Sequence, residues 1–203
     1  MSLKKILYAW TESKQLRPLW NLSYRIICPL TRAGGLISRL PSLYLCYAKH
    51  IKPDTFWEAP GPDTDLLIEG AGASATHSLV AYVRAHNPDL KISHTCEVPA
   101  TVKYCLQNNI PVIVPVRNIV EYVDSLTERF PQVSRRTAQM CYVSFYKYIL
   151  KVRGRVVVAD FREIIEKPSE VIARCNEFYG TDFNVGDNNL PRIRVTQYGD
   201  QSI

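Results

Sequence analysis

The sequence predicts an α/β fold, a three-layer α/β/α arrangement around a mostly parallel central sheet. From Asp65 onwards, strand-like and helix-like segments alternate along the chain, which is typical of parallel sheets covered by helices. Two strand-like runs, 110–116 (IPVIVPV) and 155–161 (RVVVADF), are almost continuously apolar, as expected of strands buried on both faces. A turn of small residues, 70–76, joins the first strand to a helix, and such a turn is a common phosphate site.

Each element is assigned from its hydrophobic pattern and its boundary residues. Strands are predicted at 65–69 (DLLIE), 90–93 (LKIS), 110–116 and 155–161. Helices are predicted at 76–86, 98–109, 119–130, 134–152 and 168–180, the last with Pro168 at its start and Gly180 at its end. Right-handed crossovers bring the carboxyl ends of such strands to one edge of the sheet, where ligands bind.

The first 60 residues differ from the rest of the chain in their pattern of residue types. They mix basic, aromatic and apolar residues without strand alternation, and they predict short helices broken at Pro18, Pro29, Gly34-Gly35 and Pro41. A basic amphipathic segment within 1–60 is expected either to touch a membrane surface or to pack against the main domain. We therefore expect one domain in three parts, a helical basic part (1–62), an α/β core (63–185) and a C-terminal tail (186–203).

The net charge and the cysteines indicate which partners and which cellular compartment to expect. A net charge of +6 favours an anionic partner, such as a nucleotide, a polyanion or a membrane surface. The six cysteines are scattered without a CxxC pair, so we expect reduced thiols rather than a metal site, and a cytoplasmic protein. No apolar run is long enough to span a membrane, and we expect no cleaved signal peptide.

The small-residue turn has three interpretations. Gly70-x-Gly72-x-x-Ala75 matches a dinucleotide fingerprint, and the same residues followed by Thr76 match a degenerate phosphate loop without its lysine. Alternatively, small residues there only let the helix pack closely on the strand. A dinucleotide site requires an acid at the end of the second strand. That strand runs into His94 instead, and Glu97 is predicted to start the next helix, which counts against a nicotinamide cofactor.

The third strand adds a cation at the same edge. It ends in Arg117, and Ser125 follows eight residues later on the next helix. An arginine offers a planar fork of donors and a serine a rotatable one, so together they are suited to clamp a phosphate. The alternative is that Arg117 is a surface arginine and Ser125 a helix serine, with no shared function.

Taken in order, these features resemble the sulfotransferases that use 3′-phosphoadenosine 5′-phosphosulfate, over about 66–183 of the chain. That family's loop has the form Lys/Arg-Ser-Gly-Thr-Thr and holds the 5′-phosphosulfate. Here the corresponding loop is Ala73-Ser74-Ala75-Thr76-His77. The family's Arg, with Ser eight residues on, binds the 3′-phosphate and matches Arg117 and Ser125. The family's catalytic base is a His after the second strand, and His94 stands there.

The resemblance also extends to the end of the core, with two departures. The segment 156–183 is similar to the family's late strand, acid-containing turn and proline-initiated helix. However, Ala73 stands where the family has Lys or Arg, and only Arg192 and Arg194 are left as substitutes for its basic C-terminal segment. The short chain is closest in size to compact microbial members of the family.

The resemblance implies a P-loop-like fold and sulfuryl transfer to a hydroxyl or amine, with 3′,5′-diphosphoadenosine as product and His94 as base. The implied nucleotide-binding residues are Gly72, Ala73, Ser74, Ala75, Thr76, His77, Arg117 and Ser125. No metal is required; Asp160, at the end of a strand, is the one candidate to hold Mg²⁺. The cation missing from the loop is expected from Lys91, His77 or Arg84.

Two alternatives remain beside the transferase. One is an NAD(P)-dependent oxidoreductase, which would need no Arg117, and the other is a non-catalytic relative that binds a nucleotide, a polyanion or a partner protein. For the transferase we expect a small-molecule, carbohydrate or lipid acceptor and no nucleic acid. The sequence predicts neither the identity of the acceptor nor the oligomeric state.

Overall fold

The central sheet of the computed structural model is all-parallel, with the strand order β2-β1-β3-β4. The structure describes residues 36–51, 59–94, 96–131 and 133–190. The strands are β1 (Leu66–Ile68), β2 (Ile92–His94), β3 (Val112–Val116) and β4 (Val157–Asp160). The predicted α/β class and parallel sheet are therefore confirmed, and β1 and β3 lie at the centre of the sheet.

Helices precede the sheet and connect its strands. In the described ranges they are α1 (Leu36–Arg39), α2 (Pro41–Ile51), α3 (Thr76–His86), α4 (Pro99–Gln107), α5 (Ile119–Arg129), α6 (Arg135–Val152), α7 (Phe161–Glu166) and α8 (Pro168–Tyr179). The core strands and helices predicted from the sequence are present within two residues at each end. The short helix α7 was not predicted. One boundary was wrong, because Glu97 lies before α4, with a φ of 58°.

The alternation of side chains along β1 separates two hydrophobic layers. Leu66 and Ile68 face one side of the sheet, where they pack with buried residues of α3, α7 and α8. Leu67 faces the other side and packs with residues of α4 and α6, including Phe145 and Ile149. Because the side chains of a strand alternate between faces, helices cover the sheet on both sides, which is the predicted three-layer arrangement.

The described part of the N-terminal region packs on the α/β core. Tyr44 of α2 is buried, and its hydroxyl donates a hydrogen bond to the carbonyl oxygen of Cys96 at 3.3 Å. Ile37 and Ala59 pack against the same cluster. These contacts favour the packing interpretation for α2. The breaks predicted at Pro18, Pro29 and Gly34-Gly35 lie outside the described residues, as do Arg192 and Arg194.

The sequence predicts reduced thiols and no membrane-spanning segment. The five cysteines in the described ranges (46, 96, 105, 141 and 175) are free thiols. Across those same ranges, none of the helices has the length and apolar character needed to cross a bilayer.

Candidate functional site

The turn between β1 and α3 has an unusual backbone. Ala73 and Ala75 adopt positive φ angles of 59° and 65°, a region that residues with a Cβ seldom occupy. Ser74, between them, does not. Alternation of left- and right-handed residues turns successive N–H groups toward one side and creates a concave site for an anion. Ala75 is also the N-cap of α3 and makes no side-chain capping bond, so the helix N-terminus faces the same turn.

The two glycines of the turn are required by close packing. A Cβ on Gly70 would lie 2.5 Å from Ser74 Oγ and 2.7 Å from the carbonyl oxygen of Pro115. A Cβ on Gly72 would lie 2.7 Å from Glu97 Oε1. Packing alone therefore requires small residues at these two positions.

A tyrosine hydroxyl separates the turn from β3. Glu69 N donates to the carbonyl oxygen of Ile113 at 2.9 Å, and the next rung of this parallel register would join Ala71 N to the Pro115 carbonyl. Instead, Tyr146 Oη donates to that carbonyl at 2.6 Å and accepts from Ala71 N at 3.4 Å. Pro115 has no N–H to continue the ladder. The chain thus leaves the sheet at Ala71, and the turn opens at the carboxyl edge.

Arg117 reaches back from β3 to this turn. Its Nη1 donates to the carbonyl oxygen of Ala73 at 3.1 Å, and its Nε donates to Glu121 Oε2 at 3.0 Å. The guanidinium carbon lies 4.3 Å from the ring centroid of Phe161, and Tyr142 Oη donates to the Arg117 carbonyl at 2.7 Å. The side chain is 20% exposed. A positive charge is therefore held against the turn that lacks a lysine of its own.

Ser125 lies on the helix that follows Arg117. It is half-buried in α5, which begins where Asn118 Oδ1 accepts a hydrogen bond from Val120 N. The adjacent Leu126 places its Cδ1 3.5 Å from the position of a Cβ on Gly72. This end of α5 therefore passes beside the turn, while among the described residues no hydrogen bond joins the hydroxyl of Ser125 to Arg117.

A buried carboxylate ties the turn to the end of β2. Glu69 is fully buried, and its side chain accepts hydrogen bonds from Cys96 N at 3.1 Å, Glu97 N at 2.6 Å and Thr101 Oγ1 at 3.2 Å. Glu69 was not among the site residues predicted from the sequence. The available signal was an acid at the end of an otherwise apolar strand. Its bonds hold Glu97 in its left-handed conformation with the carboxylate against Gly72.

Two histidines lie on the β2 side of the turn. His94 ends β2 and is only 8% exposed, whereas His77 in the first turn of α3 is exposed. Their ring centroids are 5.8 Å apart in an edge-on arrangement. Burial, with smaller contributions from the nearby His77 and Arg84, lowers the pKa of His94 to about 3. His94 is thus neutral at physiological pH and binds a proton weakly.

The burial of His94 makes the stability of the protein depend on pH. Because its folded pKa of about 3 is below the unfolded value of 6.5, the unfolded state binds more protons between these pH values. The free energy of unfolding should therefore fall by a few kcal/mol, to order of magnitude, as the pH drops through this window. Urea unfolding at pH 7 and pH 5 measures the change. His94→Gln should reduce the difference between the two pH values, and an unchanged difference would contradict this origin.

Two other candidates named from the sequence have structural roles. Lys91 precedes β2 at the amino edge of the sheet, where its Nζ lies 2.6 Å from Asp63 Oδ2; it does not reach the turn at the opposite edge. Asp160 caps α7, since its Oδ1 accepts from Arg162 N at 2.8 Å and Glu163 completes a capping box. No cluster of three metal-ligating side chains occurs in the part of the chain that the structure describes.

Comparison with models of known protein families gave no match. Comparison with curated proteins gave no significant match either. The geometry of the site therefore carries the functional argument.

Proposed function

We propose that the protein binds 3′-phosphoadenosine 5′-phosphosulfate at the carboxyl edge of its sheet and transfers the sulfuryl group to a hydroxyl or amine acceptor. The observation that carries this proposal is the position of Arg117, whose Nη1 lies 3.1 Å from the Ala73 carbonyl oxygen. A phosphate loop needs positive charge, and this loop has no lysine. The guanidinium from the neighbouring strand brings a positive charge to the edge of this loop, and we assign it to the 3′-phosphate of the nucleotide.

The partners of Arg117 support a binding role for its guanidinium. The ion pair with Glu121 joins residues one helical turn apart, and the Glu121 side chain is 51% exposed, so it contributes only about 0–1 kcal/mol. An arginine–phosphate bond is charge-assisted and frequently bidentate, so a phosphate competes well for the guanidinium. Phe161, stacked on the guanidinium, keeps the side chain flat beside the turn.

The turn separates two chemically different sides of the site. Arg117 and Phe161 lie on the side of β3 and β4, and this side is suited to the phosphates of the nucleotide. His77, His94 and Glu97 lie on the side of β2, where a proton acceptor is available for an acceptor hydroxyl. In an in-line sulfuryl transfer, the leaving nucleotide is bound on one side of the sulfur and the acceptor hydroxyl with its base lies on the other.

Backbone groups of the turn stabilise the charge that develops on the leaving nucleotide. Preorganised N–H donors cost no reorganisation when the bond breaks, and each is worth about 10²–10³ in rate. The positive end of α3 adds to their effect. Ser74 Oγ is already bonded to the Ala71 carbonyl at 2.5 Å, so we assign Ser74 to holding the turn in shape. Ser125 remains the proposed second donor to the 3′-phosphate.

Isothermal calorimetry with the full chain tests this function. We expect 3′,5′-diphosphoadenosine to bind at least tenfold more tightly than AMP, because only the former carries the 3′-phosphate that Arg117 is proposed to bind. NAD and NADP serve as comparison ligands. Equal affinity for AMP and the bisphosphate would contradict the proposal. Tighter binding of NAD or NADP, unaffected by loss of Arg117, would support the oxidoreductase alternative instead.

A further inference from the structure

The site holds two imidazoles of very different accessibility. His77 is exposed on the first turn of α3, while His94, with its ring centroid 5.8 Å away, is only 8% exposed. We propose that His77, rather than His94, is the base that accepts the proton of the acceptor hydroxyl. This inference rests on the proposed sulfuryl transfer and assigns a catalytic residue within that site. From the sequence, His77 was predicted as a nucleotide-binding donor and as one candidate for the missing cation of the loop, not as the base.

Accessibility separates the two histidines because a general base must come within hydrogen-bond reach of the proton it removes. The ring of His94 is buried at the end of β2 against the ring of His77. An acceptor that approaches the turn from solvent meets His77 first. His94 then acts as a positioning residue, because its ring limits where the His77 ring can lie.

The charges around His77 come from the β2–α4 connection, from α5 and from α3 itself. Glu97, between β2 and α4, raises the pKa of His77, while Arg129 at the end of α5 and Arg84 on α3 lower it. Desolvation by neighbouring groups is the largest influence and also lowers the pKa, so the imidazole is neutral at pH 7. The N-terminus of α3 acts in the same direction. A neutral imidazole beside a carboxylate is ready to accept a proton, and Glu97 stabilises the imidazolium that results.

The proposed step transfers the sulfuryl group directly from the donor to the acceptor hydroxyl. The oxygen of the acceptor hydroxyl attacks the sulfur of the donor and forms a new S–O bond. The bond between sulfur and the bridging phosphate oxygen breaks, and its electron pair leaves with 3′,5′-diphosphoadenosine. The hydroxyl proton moves to the neutral imidazole of His77, which later releases it to water. No metal or redox partner takes part in this step.

Catalysis by His77 is tested with His77→Gln, His94→Gln and the control His86→Gln. His86 lies on the same helix but bonds to the Tyr82 carbonyl at the other end. Transfer of the radiolabelled sulfuryl group is followed as phenyl sulfate with phenol as acceptor and as free sulfate with water as acceptor. Binding of 3′,5′-diphosphoadenosine is measured by calorimetry. We expect His77→Gln to lower turnover about 10²–10⁴-fold with little change in nucleotide affinity. The wild-type rate should rise with pH through the pKa of His77, and the variant should lose this rise.

A chemical probe tests the position of His77 without relying on an acceptor. Diethylpyrocarbonate modifies accessible neutral imidazoles, and mass spectrometry gives the rate at each histidine. We expect bound donor to slow modification of His77 and to leave His86 unaffected. Equal rates at His77 with and without donor would overturn the inference, as would wild-type turnover by His77→Gln together with an inactive His94→Gln. Absence of nucleotide binding to the wild type would overturn the proposed function, and this inference with it.

Discussion

Replacing Arg117 by alanine is expected to weaken binding of 3′,5′-diphosphoadenosine about a hundredfold, equivalent to about 2.7 kcal/mol. The guanidinium is already held beside the turn by Ala73, Glu121 and Phe161. Its side chain therefore loses little conformational entropy when the nucleotide binds. Truncating one partner of a buried charge pair commonly costs about 2–5 kcal/mol. Calorimetric titration with the bisphosphate measures the loss directly.

Two further variants separate geometry from net charge. Arg117→Lys keeps the charge but loses the planar fork, and should lie between wild type and alanine. Arg153→Ala removes an exposed cation before β4, at the opposite edge of the sheet, and should bind as the wild type does. Equal weakening by Arg117→Ala and Arg153→Ala would mean that only net charge matters, and the assigned site would be wrong.

Gly70→Ala is expected to lower the free energy of unfolding by about 1–3 kcal/mol or more. The added Cβ would lie 2.7 Å from the Pro115 carbonyl oxygen and 2.5 Å from Ser74 Oγ. Ser74 can rotate away only by giving up its bond to Ala71, and the Pro115 carbonyl is backbone in a central strand. The midpoint of urea unfolding should therefore fall.

Gly154→Ala is the matched control for this substitution. A Cβ on Gly154 meets nothing within 4 Å, and its φ is not in the left-handed region, so its unfolding midpoint should stay at or slightly above that of the wild type. An unchanged midpoint in Gly70→Ala would show that the turn and β3 move apart easily. The close packing of the turn would then not be a structural requirement.

Most of the core fold was predictable because its signals are local. Buried strands such as 110–116 are apolar throughout, and the amphipathic helices have caps or breaking residues at their ends. Helix α7 was missed although its capping residues, Asp160 and Glu163, stand three apart in the sequence. It is only six residues long, which is too short to show the helical periodicity of apolar residues. Glu97 was assigned to a helix because the sequence does not reveal the long-range hydrogen bond that its backbone N–H donates to the side chain of Glu69.

The candidate site was predicted as a meeting of strand ends. The carboxyl ends of parallel strands share one edge, so the turn, His94 and Arg117 were expected there, and the structure brings all three to it. The sequence could not predict that Arg117 touches Ala73, because that contact depends on side-chain rotamers 44 residues apart in the chain. Nor could it predict positive φ at two alanines, a conformation that usually selects glycine.

Sequence spacing also could not rank the two histidines. His94 matches the expected position at the end of β2, but the pattern does not reveal how deeply its ring is buried. His77 was predicted to bind the nucleotide or to supply the missing cation, and its exposure beside Glu97 was not apparent from the sequence. Exposure is a property of the packed structure, and it changes which imidazole is assigned as the base.

We propose that the turn and Arg117 together form one nucleotide site at the carboxyl edge of the sheet. Amide chemical shifts recorded during titration with 3′,5′-diphosphoadenosine test it most directly. We predict the largest shifts at residues 72–77 and at Arg117, with little change at Lys91, which lies at the amino edge. Shifts confined to the amino edge, or saturation without any change in residues 72–77, would show that the nucleotide does not bind at this turn.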